Sequence, residues 1–409
     1  MMLMSKKRLA PNLRFSGFDG EWNETTLSDI ATFSKGKGIS KKDISDDGIE
    51  CVRYGELYTK YTEMIYNVDS KTNLDENELQ LSEKYDILIP CSGETAIDLA
   101  TASCIQKDQV AIGGDITIIK TNQYAPFITY YLNQKKTEIA KYAQGVSIVH
   151  LYPKDFNVLN IKIPLIKEQK KIVHILEKIS YKEQLLEKKL KFYQDFKKYL
   201  MQQIFTQKLR FDFNEDWYID KIGNNSEVFG RIGFRGYTVD DLVDKGQGAL
   251  TIGGKHISKN FQLDLSDPEY LSWEKYEESP EIKIYNDDVL LVKTASVGKV
   301  CFIENLNEPA TLNPQLIVFK NIKLNNKFFY YYLTSNLFQK DIHKIKSTTG
   351  IPTITQKELL NLNIIYPSLE EQEKIVNFLS IVDKKISSID KNLKDIEKFK
   401  NGLLQQMFI

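Results

Sequence analysis

The sequence of 409 residues has little of the material that membrane or secreted proteins need. Its longest apolar runs, Ile87 to Pro90 and Val289 to Val292, are only a few residues long, whereas a bilayer-spanning helix needs about 20. The stretch from Met1 to Leu13 has no apolar segment after its basic residues, so we expect no signal peptide and no secretion. A cytoplasmic protein is therefore expected.

Cysteine is also scarce, with four residues (Cys51, Cys91, Cys104 and Cys301) that lie far apart. No Cys-x-x-Cys pair occurs, which argues against a disulfide framework and against a zinc ribbon. Reduced, mostly structural thiols are expected.

An excess of charge of one sign is missing too, because Lys plus Arg and Asp plus Glu both number 55. The whole chain therefore has no basic field of the kind that announces a nucleic-acid partner. The charge is unevenly placed, however: residues 165–210 carry 12 basic and 5 acidic residues, and residues 368–409 carry 7 of each.

Recognisable catalytic motifs are missing as well. Gly254-Lys255 and Gly298-Lys299 lack the spacing of a phosphate loop, so no ATPase is indicated. The segment Asn313-Pro314-Gln315-Leu316 lacks the second proline and the aromatic residue of an adenine amino-methyltransferase motif. The four histidines are scattered and favour surface positions. We therefore expect no catalytic residue, no metal site and no cofactor.

What the sequence does contain is an internal duplication. Pro164-Leu-Ile-Lys-Glu-Gln-Lys-Lys-Ile-Val-His-Ile-Leu176 recurs as Pro367-Ser-Leu-Glu-Glu-Gln-Glu-Lys-Ile-Val-Asn-Phe-Leu379, at an offset of 203 residues. Upstream, Leu13-Arg-Phe15 with Trp22 recurs as Leu209-Arg-Phe211 with Trp217. Each copy is a divergent globular part followed by a similar helical part.

Both helical parts carry apolar residues at alternating steps of 4 and 3, which is typical of a coiled coil. Two long helices with matching seams should pair, and the chain order favours an intramolecular antiparallel coiled coil. Lys197 and Lys400 occupy equivalent seam positions, so they either fix the register or face an external partner. The residues predicted to pair are Ile172, Leu176, Ile179, Leu186, Leu190, Tyr193, Leu200, Ile375, Leu379, Val382, Ile386, Ile389, Leu393, Ile396 and Leu403.

The globular parts combine short β-rich runs with turn signals at Ser92-Gly93, Gly113-Gly114 and Gly253-Gly254, and each ends with a short helix. The fold class is therefore α+β, with two tandem mixed globules separated and closed by the two long helices. We predict an N-terminal arm at 1–12, globules at 13–164 and 209–367, and spacer helices at 165–208 and 368–409.

The start Pro11-Asn-Leu-Arg-Phe-Ser-Gly-Phe18 with Glu21-Trp22, and the duplicated Pro-x-x-x-Glu-Gln-x-x-Ile-Val-x-x-Leu helices ending in Gln-Gln, resemble the specificity subunit of type I restriction-modification systems. The resemblance covers essentially the whole chain and is most specific in the helices. It implies two target-recognition domains, each of which reads one half of a bipartite sequence in double-stranded DNA. It also implies that the helices set the spacing and bind methyltransferase subunits, with restriction and translocase subunits joining through the methyltransferase core. The duplication indicates two similar docking sites, and hence two methyltransferase subunits. Methylation and cleavage would then reside in those partners.

Arginine, lysine and short polar side chains on loops are suited to reading base edges in the major groove. On that ground the candidate DNA-binding residues are Lys37, Arg53, Tyr54, Lys60, Arg231, Arg235, Lys255, His256, Lys293, Thr294, Ser296, Lys299, Lys344, Lys346 and Thr348. A different interpretation stays open at this point: an interaction scaffold with two ligand-binding globules on a coiled coil and no role in DNA binding. It explains the neutral charge equally well but leaves the helix motifs unexplained.

Overall fold

The computed structural model describes residues 10–145, 149–231, 233–347 and 350–409. It divides into two compact units, of which one takes the chain up to Glu187 together with Lys391–Ile409, and the other takes Lys188–Asp390. Each long helix therefore contributes one part to each unit. Most of the predicted N-terminal arm, and the candidate residue Thr348, lie outside the described residues.

The globular part of the first unit contains short strands and mostly short helices. Its strands are Asn23–Thr26 (β1), Ala31–Lys35 (β2), Ile44–Ser45 (β3), Ile49–Val52 (β4), Met64–Ile65 (β5), Ser70–Thr72 (β6), Ile87–Pro90 (β7), Ser92–Gly93 (β8), Ser103–Ile105 (β9), Ala111–Ile112 (β10), Ile116–Thr121 (β11), Val149–His150 (β12) and Asn160–Ile163 (β13). Its helices are Leu27–Ile30 (α1), Tyr54–Thr59 (α2), Ala96–Leu99 (α3), Ala125–Gln134 (α4) and Lys136–Ile139 (α5), and the long helix Ile166–Phe205 (α6) follows them.

The globular part of the second unit repeats this plan. Its strands are Tyr218–Lys221 (β14), Glu227–Phe229 (β15), Leu242–Val243 (β16), Gly248–Ile252 (β17), Glu269–Ser272 (β18), Val289–Val292 (β19), Val300–Phe302 (β20), Ala310–Leu312 (β21), Leu316–Lys320 (β22) and Asn363–Tyr366 (β23). Its helices are Ile222–Asn225 (α7), Trp273–Glu277 (α8), Asn326–Thr334 (α9), Asn336–Ile345 (α10) and Gln356–Leu360 (α11), before the long helix Leu369–Met407 (α12).

The sheets of the two units correspond strand by strand. The order β2-β11-β7-β9-β5 in the first unit matches β15-β22-β19-β20 in the second, and β10-β4-β6-β3 matches β21-β17-β18-β16. The pairs β10/β4 and β21/β17 are both parallel. Strand β5, which runs parallel to β9, extends the first unit's sheet and has no counterpart among the described residues of the second unit's matching sheet.

The antiparallel pairing of α6 and α12 is visible within each unit separately. In the first unit, Ile172 and Leu176 share a buried cluster with Leu404 and Met407, and further along α6 Glu183 accepts a hydrogen bond from Lys400. In the second unit, Leu200, Met201, Ile204 and Phe205 share a cluster with Ile375, Leu379, Val382 and Ile386. The α+β class and the antiparallel helix pair are therefore confirmed, and all fifteen predicted pairing residues are buried or half-buried.

Two seam lysines form ion pairs between the helices. The Lys197 ammonium lies 2.6 Å from the Asp383 carboxylate, which also accepts a hydrogen bond of 2.7 Å from the Tyr331 hydroxyl. Lys400 lies 3.1 Å from Glu183 and 3.6 Å from Glu63. Because these side chains are mostly buried, a shift in helix register would leave their charges buried without partners. Of the two roles left open above, both lysines thus take the internal one.

The duplicated Glu-Gln motif joins each long helix to its globule. Arg14 makes two hydrogen bonds to the buried carboxylate of Glu168, at 2.7 and 2.8 Å. The neighbouring Gln169 accepts from the Tyr124 backbone N–H at 3.0 Å and donates to the Pro164 carbonyl at 2.9 Å. A planar guanidinium that meets a carboxylate with two parallel bonds is a strong and geometrically specific contact.

The second unit contains the same arrangement. Arg210 makes two hydrogen bonds to the Glu371 carboxylate, at 3.1 and 2.7 Å. Gln372 accepts from the Asn325 N–H and donates to the Pro367 carbonyl, both at 2.9 Å. We call each set of three, Arg14-Glu168-Gln169 and Arg210-Glu371-Gln372, a helix clamp. The clamps give the physical reason for the repeated motif.

Two local expectations differ in outcome. The short helix predicted at the end of the second globule is present as α11, which starts with a capping box formed by Thr355 and Glu358. The turn predicted at Ser92-Gly93 is wrong, because these two residues form strand β8, which pairs antiparallel with Val149–His150. Among the described residues, no helix has the length and apolar character needed to cross a membrane.

Candidate nucleic-acid interface

Four segments of each globule, most of them loops, meet at equivalent places. We call residues 36–42, 53–60, 91–95 and 113–115 the first loop cluster. Residues 230–231, 233–238, 253–256, 293–299 and 313–315 form the second loop cluster.

The same backbone hydrogen bonds hold both clusters. The Gly113 N–H donates to the Val52 carbonyl, as the Asn313 N–H donates to the Ile252 carbonyl, both at 2.9 Å. The Cys91 N–H donates to the Asp115 backbone carbonyl at 2.7 Å, and the Lys293 N–H donates to the Gln315 backbone carbonyl at 2.8 Å. The frame is shared although the side chains differ.

In the first cluster the loops enclose a cleft of about 1130 Å³. Arg53, Tyr54 and Lys60 line it, together with Lys41 and Lys42. The exposed Lys37 lies beside it, since its backbone N–H donates to the Ile112 carbonyl at 2.9 Å. The structure therefore brings all four candidates of the first globule together.

Glycine is required where two of these loops touch. A Cβ atom on Gly36 would lie 2.1 Å from the Gly113 carbonyl oxygen and 2.5 Å from the Ile112 carbonyl oxygen, far inside contact distance. Such close backbone approach is available only to a residue without a side chain. Gly36 thus fixes where the lysine-bearing loop begins.

The side chain of Glu56 holds the second segment of the first cluster, which contains the short helix α2. It is buried and accepts hydrogen bonds from the Arg53 N–H at 3.0 Å, from Lys60 at 2.9 Å and from the Ser70 hydroxyl. Burial raises its pKa, but these hydrogen bonds outweigh burial and hold the pKa below the ordinary value. Lys60 is consequently partly neutralised by its own loop.

The remaining lysines of this cluster are different. Across the described parts of the chain, no carboxylate lies within ion-pair distance of Lys37, Lys41 or Lys42, and all three side chains are exposed. Free ammonium groups on a loop rim are suited to DNA phosphates, whose neutralisation supplies much of the affinity in DNA binding.

In the second cluster two candidates turn out to be structural. Arg231 is only 4% exposed, and its guanidinium donates to the carbonyls of Leu312 and Arg235 and to the Thr311 hydroxyl. Burial lowers its pKa. Because its donors are already used inside the globule, the interpretation of Arg231 as a base reader is wrong.

His256 is the other correction. It is 2% exposed, its Nδ1 accepts from the Gly253 N–H at 2.9 Å, and its Nε2 lies 2.9 Å from the Asp267 carbonyl oxygen. Both ring nitrogens are occupied, so the interpretation of His256 as a base reader, and the surface position expected for it, are wrong. His256 takes the place that Glu56 has in the first cluster, where a side chain accepts from the N–H three residues earlier.

Two further candidates have carboxylate partners. Lys255 lies 2.7 Å from Asp267 and 2.9 Å from Glu269. These contacts raise the pKa of Lys255. Arg235 is half-buried, and its guanidinium lies 3.3 Å from Glu281.

The loop after β19 contains four candidates. Ser296 is exposed. Thr294 is half-buried and forms an isolated antiparallel β-bridge with Thr353. Lys293 is half-buried, and burial lowers its pKa. Lys299 donates to the Ile257 carbonyl at 2.8 Å. Within this loop, Ser296 is the candidate most open to solvent.

Lys344 and Lys346 lie elsewhere, at the end of α10. Lys344 is exposed and lies 2.8 Å from Asp341, and Lys346 is half-buried at the helix C-cap. They are not part of the second loop cluster as defined by its backbone hydrogen bonds.

Sequence reasoning missed four residues that the loops present. Lys41 and Lys42 lie on a 3-10 turn capped by Ser40 and Asp43, and only the neighbouring Lys37 was selected. Asn313 and Gln315 occupy the loop that matches Gly113-Gly114, where Gln315 is exposed. The Ser-x-x-Asp capping pattern was the available signal for the lysines, whereas nothing in the sequence alone marked the amides.

The comparison with known families covers parts of both globules and of both long helices. Residues 19–191 and 258–398 match the model of the type I restriction modification DNA specificity domain. The chain belongs to this family. The resemblance inferred from the duplicated helix motif is confirmed.

One relative matches nearly the whole chain, and another matches about half of it. The type I restriction enzyme MjaVIII specificity subunit of Methanocaldococcus jannaschii is 24% identical over 403 residues, which cover 94% of this chain and 91% of the relative. The MjaIX specificity subunit of the same organism is 26% identical over 202 residues, covering 48% of this chain and 44% of the relative.

A crystal structure shows the same fold. The S subunit of a type I restriction-modification system from M. genitalium superposes with a TM-score of 0.67 at 16% identity, covering 98% of this chain and 99% of that one. Among the residues described for the specificity-family chain, no group of three or more His, Cys, Asp or Glu side chains is placed to hold a metal ion.

Proposed function

We propose that this chain is the sequence-reading subunit of a type I restriction-modification complex. Each globule reads one half of a bipartite target in double-stranded DNA, and it does so through its loop cluster. The observation that carries the proposal is the family match, which extends over most of the first globule, much of the second globule and most of both long helices.

The two loop clusters supply the chemistry for reading. In the first, Lys37, Lys41 and Lys42 contact phosphates, while Arg53 and Tyr54, inside the cleft, contact base edges. In the second, Arg235, Ser296 and Gln315 contact base edges. Phosphate contacts position a protein on the duplex, and base contacts provide its specificity.

The long helices set the distance between the two half-sites and bind two methyltransferase subunits. Restriction and translocase subunits join through the methyltransferase core. Methylation and cleavage belong to those partners, and this chain acts without a cofactor in the cytoplasm. Because its net charge is zero, it binds DNA weakly alone and gains phosphate contacts from its partners.

Adenine-methylation mapping tests the proposal. DNA is sequenced by a modification-sensitive long-read method from cells that hold the methyltransferase subunit, with and without this chain. A methylated bipartite motif that depends on the chain is expected. If a confirmed complex yields no chain-dependent motif, the reading role is wrong and an interaction scaffold is favoured.

Deleting one heptad at equivalent positions of both helices tests the spacing role. Seven residues shorten a helix by about 10 Å, or about three base pairs of duplex. The spacer of the mapped motif should shorten while both half-sites keep their sequences. An unchanged spacer would contradict the role of the helices as a ruler.

A further inference from the structure

Asp115 and Gln315 occupy the same place in the two loop clusters. Each is the last residue before a central strand, β11 in the first globule and β22 in the second. Each backbone carbonyl accepts from the residue that follows the neighbouring strand, Cys91 after β7 and Lys293 after β19. Both side chains are exposed. A side chain at the end of a paired strand is held in place better than one in the middle of a loop.

Hydrogen bonds fix the orientation of the Gln315 side-chain amide. Its Oε1 accepts from the Gly254 N–H at 3.3 Å, and its backbone N–H donates to the Asn313 Oδ1 at 2.6 Å. A Cβ atom on Gly254 would lie 3.0 Å from that Oε1, so the glycine leaves room for the contact. Within the described residues, the Nε2 amino group has no hydrogen-bond partner. Gln315 therefore presents two N–H donors to a ligand.

Asp115 presents the opposite chemistry. Its side chain lines the cleft of the first loop cluster together with Lys41, Lys42 and Arg53. These cations offset the repulsion between a carboxylate and DNA phosphates. Neither carboxylate oxygen of Asp115 has a hydrogen-bond or ion-pair partner in the part of the chain that the structure describes. Because an ionised carboxylate only accepts hydrogen bonds, the first globule has acceptors at the point where the second has donors.

The two kinds of group select different bases in the major groove. Guanine presents two acceptors there, N7 and O6, and no donor, whereas cytosine presents only the N4 amino group as a donor. Adenine presents an acceptor beside a donor, so it fits neither a pair of donors nor a carboxylate. A side chain whose free polar atoms are donors therefore favours guanine, and a carboxylate favours cytosine.

We propose that Asp115 reads a cytosine in the half-site of the first globule and that Gln315 reads a guanine in the half-site of the second. This inference rests on the proposed function, in which each globule reads one half of the target. The residue before the central strand then sets one base of each half-site. The shared backbone frame places the side chain, and its donors or acceptors decide which base it binds.

Isosteric substitutions test the inference in the complete complex of this chain with its methyltransferase subunits. The bipartite motif of the parent chain is first mapped by methylation sequencing. Duplexes are then made in which each base pair of the motif is replaced in turn by the other three. Fluorescence anisotropy gives the affinity of every duplex for the parent complex, for Asp115→Asn and for Gln315→Glu.

Each variant should change the base preference at one pair of one half-site. Asparagine offers a donor beside an acceptor and pairs with adenine, so Asp115→Asn should shift the preference from cytosine to adenine by about 10-fold or more. In Gln315→Glu the Gly254 N–H still has an oxygen to which it donates, and the side chain becomes a carboxylate. The preference should shift from guanine to cytosine by a similar factor.

Matched controls make the same chemical changes elsewhere in each globule. Asp69 and Gln247 are exposed and lie outside the loop clusters. Asp69→Asn and Gln247→Glu should therefore leave the base preference at every pair as it is in the parent complex.

Several outcomes would overturn the inference. Unchanged preferences in Asp115→Asn or in Gln315→Glu would do so for that residue, as would a variant that alters both half-sites. So would an equal loss of affinity for every duplex, because that result indicates a structural role. A mapped half-site without any C·G pair would also contradict it. Failure of the proposed function is distinct, because it appears in the parent complex as the absence of any chain-dependent motif.

Discussion

The two units use identical side chains where the globule meets the helix and different ones where the loops meet solvent. The helix clamps repeat Arg, Glu and Gln with nearly the same distances. In the loop clusters only the backbone hydrogen bonds repeat, and Glu56 in one corresponds to His256 in the other. A frame fixed by backbone contacts allows the exposed side chains to change without altering the fold.

The largest effect should come from breaking a helix clamp. In Arg14→Leu the carboxylate of Glu168 stays buried without its partner, which should cost the first unit about 3 kcal/mol. Hydrogen exchange of residues 124–132, beside the clamp, should rise sharply. Arg210→Leu should do the same to residues 325–333 of the second unit.

A clamp that stabilises only its own unit gives a clear control. Each variant should leave the exchange of the other unit's segment near the parental rate. If either substitution accelerates both segments equally, the clamps act on the whole chain, and the comparison between units fails.

The seam lysines should differ in importance. Lys400→Met leaves two carboxylates, Glu63 and Glu183, without their shared cation, whereas Lys197→Met leaves Asp383 with the Tyr331 hydroxyl still donating to it. Because these carboxylates retain some exposure, we expect losses of about 2 kcal/mol and about 1 kcal/mol. Urea unfolding measures the free energy of unfolding of both variants. A larger loss for Lys197→Met than for Lys400→Met would contradict the predicted order.

The loop capped by Glu56 should respond to acid. Its pKa is lowered in the folded chain, so its stabilising effect is complete above the ordinary value of 4.5 and disappears as the pH falls through the lowered pKa. Glu56→Gln should therefore cost about 1 kcal/mol at pH 7 and almost nothing in strong acid. Urea unfolding across pH 2 to 7 checks this, and a cost that does not vary with pH would contradict it.

The smallest effects concern single phosphate contacts. In the assembled complex, Lys41→Ala with Lys42→Ala should reduce the slope of log affinity against log salt by about 2, because each lysine releases about one counterion. Lys255→Ala should change the slope by much less than the value of about 1 expected for one free lysine, since Asp267 and Glu269 already hold that ammonium. Fluorescence anisotropy with the cognate duplex measures the slopes, and a change of about 1 in Lys255→Ala would remove the distinction.

Helix pairing could be predicted from sequence because apolar spacing along a helix is local information. The strands around Val289–Val292 and Leu316–Lys320 were predictable for the same reason. The clamps were not, because the partners Arg14 and Glu168 are separated by 154 positions and no local pattern joins them. Only the repetition of Leu-Arg-Phe and Glu-Gln hinted that these residues belong together.

The errors at the site have a common physical cause. Arg231 and His256 carry polar groups of the kind that read DNA, but the fold uses these groups to satisfy backbone atoms of its own. Charge in a loop does not reveal whether a donor points outward or inward. Ser92-Gly93 was mistaken for a turn because its strand partner, Val149–His150, lies far along the chain.

The division of the chain into units also affects the order in which its parts can fold during synthesis. The core of the first unit includes Phe408, whose ring stacks on Phe127 with their centroids 5.3 Å apart. The second unit is drawn from the uninterrupted stretch Lys188–Asp390. On the ribosome, the core of the first unit therefore stays incomplete until residues 391–409 emerge, whereas the second unit has all its residues once Asp390 has emerged.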